Sequence, residues 1–193
     1  MEVDELIVQL GDKLDAWWAR FSAMLDSDDR VAQSKALLHG FEIAKEFDRL
    51  KIEGIGAITA LLNRSNWSSD DKRAASLIQG FEFGARLADT LHDEFSDTAD
   101  GETKVVRLTD AIVKNLDTIG SGRVALAALL DHPDVGVRAL AGIYLIDLMP
   151  ERVVPMLRKI NEQRQGRSAG FRAFIALLGW ERERKSRFNY LSA

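Results

Sequence analysis

The sequence predicts an all-α protein. Apolar residues recur at spacings of three and four along most of its 193 residues, no stretch alternates apolar with polar convincingly, and no proline precedes Pro133. Leu6, Ile7, Leu10, Leu14, Trp17, Trp18, Phe21 and Leu25 draw the first stripe, and Asp26-Ser27-Asp28-Asp29 reads as a stop followed by an N-cap. Val31, Leu37, Leu38, Phe41, Ala44, Phe47 and Leu50 draw the second. Gly54 and Gly56 are expected to break it before a short helix around Ile58, Leu61 and Leu62. Ser68 and Asp71 have capping-box spacing ahead of Leu77, Ile78, Phe81, Ala85, Ala88 and Leu91, a helix running to about Phe95. The polar segment Ser96–Gly101 reads as an exposed loop. Val105, Leu108, Ile112 and Leu116 give a further helix, closed by Gly120-Ser121-Gly122.

One similarity recurs at an offset of 40: Leu37-Leu38-His39-Gly40-Phe41-Glu42-Ile43-Ala44 against Leu77-Ile78-Gln79-Gly80-Phe81-Glu82-Phe83-Gly84. That is the period of helical-pair repeats. Glycine inside a helix costs about 1 kcal/mol relative to alanine, so close helix-to-helix approach is the expected reason for it.

The second half carries a more specific pattern. Leu126, Leu129 and Leu130 form one helix face, Asp131-His132-Pro133-Asp134 makes a turn, and Val137-Arg138, Ala141 and Leu145 open the next helix. Asp134 is placed to cap it, and Ala141 and Gly142 are small enough for tight pairing. A weaker echo follows in Val153, Met156, Leu157 and Ile160, then Phe171-Arg172, Phe174, Ile175 and Leu178, with Ser168 where the capping Asp stood. The three prolines, Pro133, Pro150 and Pro155, read as turns or helix starts.

These residues resemble the HEAT/armadillo repeat, in which an Asp caps the second helix and a Val-Arg pair follows. The stretch from about Arg123 to Trp180 is also similar to a small bacterial HEAT-like family, through Leu130-Asp131-His132-Pro133, Pro150-Glu151-Arg152 and Trp180. The resemblance implies antiparallel helix pairs stacked as a short right-handed α-solenoid. The expected organisation is a single all-α domain over 1–193, with acidic helices and the 40-residue similarity over 1–100 and HEAT-like repeats over 101–193. Some small bacterial proteins of this kind are immunity partners of secreted toxins.

Charge divides the chain. Residues 1–100 hold 20 Asp and Glu against 11 Lys and Arg, a net of −9, whereas 101–193 hold 10 against 15, a net of +5. A pI near 5.5 argues against a dedicated nucleic-acid binder. The absence of cysteine excludes thiol catalysis, disulfides and sulfur-ligated zinc. No apolar run approaches the roughly 18 residues of a membrane span, and the acidic start Met1-Glu2-Val3-Asp4-Glu5 is unlike a signal peptide, so the expected location is cytoplasmic. Neither a Gly-x-Ser-x-Gly elbow nor a phosphate loop occurs. His39 with Glu42, and Asp89 with His92, have the i, i+3 spacing of helical-bundle metal ligands, with Glu82 earlier on the second helix, but solvated polar helix residues are the commoner source of such pairs. No metal or cofactor is expected. Trp17 and Trp18 lie about 100° apart on a helix, so both can scarcely share one stripe; one reaching an exposed, partner-anchoring surface is the alternative, and core burial is the favoured expectation.

Stacked repeats present surface rather than chemistry, so the expected function is non-enzymatic protein binding. Immunity to a basic toxin is its specific form, with exposed Asp70, Asp71, Asp93, Glu94 and Asp97 as partner-binding residues. The alternative is a nucleic-acid-binding or glycosylase-type protein using Arg152, Arg158, Arg164, Arg167 and Arg172.

Overall fold

The computed structural model describes residues 2–25, 30–94, 99–163 and 167–191, and among them no strand occurs. The helices are α1 (Val3–Leu25), α2 (Arg30–Leu62), α3 (Asp70–Glu94), α4 (Ala99–Leu116), α5 (Gly122–Ala128), α6 (Val135–Leu145), α7 (Pro150–Glu162) and α8 (Arg167–Leu191). A 3-10 turn, Leu129–Asp131, joins α5 to α6. The protein is all-α.

Gly54 and Gly56 do not break α2, which runs 33 residues through both. The reason at Gly54 is tertiary. A Cβ there would lie 2.5 Å from Cε1 of Phe83, so the missing side chain admits the Phe83 ring and lets α2 meet α3 closely. Gly56 has nothing within 4 Å, and nothing in the structure explains it. Gly80 and Gly84 do serve close approach. Their Cβ atoms would fall 2.6 Å from Leu61 Cδ2 and 2.8 Å from Thr109 Cγ2. The surroundings of Gly40 lie outside the described residues. The helices holding the two similar segments start forty residues apart, at Arg30 and Asp70.

Several local expectations shift by a few residues. Ser69, not Ser68, accepts from the Lys72 N–H at 3.3 Å, because α3 begins at Asp70 and Lys72 is its third residue. Residues 99–101 of the expected loop are the first turn of α4, and 95–98 lie outside the described residues. Ser168 lies within α8, fully buried, rather than at its cap. Pro155 sits inside α7, while Pro150 opens it.

The Asp134 turn forms as its residues dictate. Asp134 Oδ1 accepts from the Val137 N–H at 2.9 Å, and His132 Nδ1 accepts from the Asp134 N–H at 3.0 Å. Arg138 reaches back to donate to the carbonyls of His132 (2.6 Å) and Pro133 (2.8 Å). Gly142 then lets α6 settle on α7, since a Cβ would stand 2.7 Å from Met156 Cε and 3.2 Å from Leu157 Cδ2.

Helix α3 occupies the middle of the molecule, packing against α1, α2, α4, α5, α6 and α8. Leu77, Phe81, Leu87 and Leu91 are its largest fully buried side chains, and Phe81 meets Tyr144 edge-on at 5.9 Å. Where α1 meets α2, Trp17 is clamped between Phe21 (5.1 Å, stacked) and Phe47 of α2 (4.7 Å). The α2–α3 connection is tied to the start of α1, where Arg64 donates to Asp4 at 3.1 Å and covers the Trp67 ring at 4.6 Å. Among the described residues no helix is long and apolar enough to cross a membrane.

Candidate functional site

The buried stripe of α1 (Ile7, Leu10, Leu14, Trp17) turns its flanking residues toward α3. One position on from Trp17, about 100° around the helix, Trp18 falls outside the stripe and is 40% exposed, against 1% for Trp17. The expected burial of both indoles therefore fails, because a single packed face cannot hold adjacent helix positions.

Trp18 borders a cleft of about 240 Å3 between α1, α3 and the start of α6, with Asp15, Arg86, Asp89, Thr90 and Asp134 around it. A second hollow of about 170 Å3 continues along the α1–α3 seam past Val8, Asp12, Glu82 and Phe83. Arg86 lines both. It crosses from α3 to donate to Asp15 Oδ2 at 3.0 Å and Oδ1 at 3.2 Å, dividing one groove into two lobes. Its Nε–H is buried with no acceptor among the described residues.

The floor is set by the start of α6. A Cβ on Gly136 would lie 3.0 Å from Asp89 Cγ and 3.2 Å from Asp134 Oδ1, so two carboxylates converge on the positive end of that helix. A side chain there would press on the Asp89 carboxylate, which would have to shift by a few tenths of an ångström. Behind it, Arg172 of α8 donates to the Ala88 carbonyl at 3.0 Å and places its Nη1 3.9 Å from Asp89 Oδ1. Nearby, the hydroxyl of Tyr144 donates to Asp110. Burial first, and then that hydrogen bond, push the Tyr144 phenol well above the ordinary tyrosine range.

Five carboxylates thus line the groove against one guanidinium among the described residues, with a half-exposed indole at its rim. Carboxylates and an aromatic face are the partners of a guanidinium or ammonium group. Thr90 is the one hydroxyl among the described lining residues. Among the described residues no three His, Cys, Asp or Glu side chains group as a metal site, and the side chains of His39, Glu42 and His92 lie outside them.

The structure does not bring the sequence-predicted acidic residues together here. Asp70 and Asp71 are exposed in the first turn of α3, about 18 Å along the helix from Glu82. Asp93 and Glu94 end α3 with side chains outside the described residues, as is all of Asp97. Of the basic set, Arg152 pairs with Asp131 at 2.6 Å, Arg158 with Glu181 at 3.2 Å, and Arg172 serves the interior. Arg164, and the side chain of Arg167, lie outside the described residues. The carboxylates of the groove were missed because Asp12 and Asp15 look like an ordinary solvated flank of α1, and Trp18 because its apolar character placed it with the buried stripe. The usable signal was the Trp17-Trp18 pair, since one of two adjacent indoles must leave the core face.

No protein-family model matches the chain, and no curated protein or solved structure is significantly similar to it.

Proposed function

We propose that this chain is a non-enzymatic protein-interaction module whose α1–α3 groove receives arginine or lysine side chains of a basic protein partner. The observation that carries the reading is the half-exposed Trp18 beside Asp15, Asp89 and Asp134, with Asp12 and Glu82 extending the same acidic seam. An indole that remains at a rim rather than in the core is the type of residue that anchors partners. The net −9 of residues 1–100 adds long-range attraction for a basic protein. In this reading α5–α8 are HEAT-like pairs of a short α-solenoid supporting the acidic face. Immunity to a basic toxin, in the bacterial cytoplasm, is the specific form of the function that the sequence resemblance suggests.

A photo-crosslinking residue in place of Asp12 identifies the partner, and calorimetry then measures its affinity. We expect a basic protein whose binding weakens steeply with salt. Trp18→Ala and Asp12→Lys together should weaken it about tenfold, while Asp70→Lys with Asp71→Lys, outside the groove, should have a smaller effect. Unchanged affinity in the Trp18/Asp12 variant removes the groove from the account. Tight binding of a DNA duplex, with a steep salt slope lost on mutating Arg152 and Arg158, would instead support the nucleic-acid alternative.

A further inference from the structure

The α1–α3 groove already holds a cation, one that belongs to the chain itself. Arg86 reaches Asp15 through a single nitrogen, Nη1, which donates to Oδ2 at 3.0 Å and to Oδ1 at 3.2 Å. Two parallel bonds from two nitrogens are the stronger way for a guanidinium to hold a carboxylate. Asp15 is 64% exposed, and exposed ion pairs contribute little to stability. The same pose buries Nε of Arg86 with no acceptor among the described residues, which works against it. Arg86 therefore fills the groove without being firmly held there.

Asp15 is the carboxylate best placed to change partners. Of its neighbours in the larger lobe, Asp134 caps α6 and Asp89 faces Arg172. Among the described residues Asp15 is bound by Arg86 alone. Trp18 stands one turn further along α1, at i+3, and lines the same lobe. A carboxylate and an indole at that spacing suit a planar guanidinium, which forks onto the first and stacks on the second. An ammonium group is a compact point charge and makes no fork.

We propose that the groove binds by exchange at Asp15: an arginine of the partner takes the carboxylate with a two-nitrogen fork, stacks on Trp18 and sends Arg86 into solvent. Arg86 is thus an internal placeholder that restrains binding, and the side chain that displaces it is arginine rather than lysine. The inference rests on the reading of the groove as a site for basic side chains, and names which of the two it takes.

The probes are two fluorescein-labelled Gly-Ser peptides that carry arginine or, at the same positions, lysine. In anisotropy titrations of the full chain at low salt, the arginine peptide should bind about tenfold more tightly. Asp15→Asn should weaken the arginine peptide and bring the two close to parity. Loss of the Arg86 charge strengthens any cationic ligand, so the strap is read from a double-mutant cycle. Arg86→Gln should tighten the arginine peptide about tenfold in the parent, and by about threefold or less in the Asp15→Asn background, where no carboxylate is uncovered. Arg86→Met, which keeps an unbranched stem, is the second variant should Arg86→Gln fail to fold. Equal tightening in both backgrounds means that Arg86 acts only as a repelling charge and overturns the exchange. Equal binding of the two peptides overturns the assignment to arginine. Where either failure occurs while Trp18→Ala with Asp12→Lys still weakens both peptides, the reading of the groove stands and the exchange alone falls. No binding, or binding indifferent to Trp18→Ala with Asp12→Lys, removes both.

Discussion

At the scale of the residue, glycines separate into those that packing requires and those it does not. Gly54→Ala gains about 1 kcal/mol of helix propensity but drives a methyl into the Phe83 ring 2.5 Å away, so a net loss of about 1–2 kcal/mol is expected in urea denaturation. Gly56→Ala meets nothing within 4 Å and should stabilise by about 0.5–1 kcal/mol. Tyr144 gives a pH-dependent counterpart. Its folded pKa is raised by burial and by Asp110, so the native state keeps a proton that the unfolded state loses above about pH 10. The associated stability is fully present below that pH and is lost as pH rises toward the folded value. Tyr144→Phe should therefore melt earlier than the parent at pH 7, by the loss of a buried hydrogen bond, and show a shallower decline in alkaline melts. None of these environments was legible in the sequence. Glycine reads alike whether a ring faces it or water does, and Asp110 lies 34 residues from its tyrosine.

Elements were more legible than residues. The stripe Ile7-Leu10-Leu14-Trp17 is apolar at helical spacing and is buried as that spacing requires. Trp17→Ala should cost about 3–5 kcal/mol by emptying the clamp between Phe21 and Phe47, whereas Trp18→Ala should cost under about 1 kcal/mol; chemical denaturation distinguishes them. The Asp134 cap was also readable, since a short acceptor side chain before an apolar run has one local use. Asp134→Ala should lower stability by about 1 kcal/mol, through the lost bond to the Val137 N–H. Element ends were less legible. A Gly-x-Gly pair looks like a stop in α2, and only the Phe83 ring from α3 explains why the helix continues past Gly54.

At the scale of the whole molecule, α3 joins the two halves, touching α1, α2 and α4 of the first as well as α5, α6 and α8 of the second. Units that contact only their neighbours can unfold stepwise, while a shared central helix couples them. Urea transitions followed by circular dichroism and by tryptophan fluorescence should therefore coincide, although Trp17, Trp18 and Trp67 all report on the first half and only Trp180 on the second. Separate midpoints would show that α3 does not transmit stability between them. The charge division has a partial structural expression. Acidic side chains from α1 and α3 gather at one groove, while Arg152, Arg158 and Arg172 are drawn into pairs or the interior.

Local periodicity by itself determined that this chain is helical, that Ile7, Leu10 and Leu14 of α1 are buried and where α6 begins. Those properties depend on residues within a turn or two of each other, and a one-dimensional pattern records them. Tertiary structure alone decided that Gly54 continues a helix, that Trp18 rather than Trp17 reaches solvent beside Asp15 and Asp89, and that α8 is left with a second, exposed apolar face. Each of these depends on which neighbour arrives from far along the chain, and amphipathic pattern states only that a face wants covering, not what covers it.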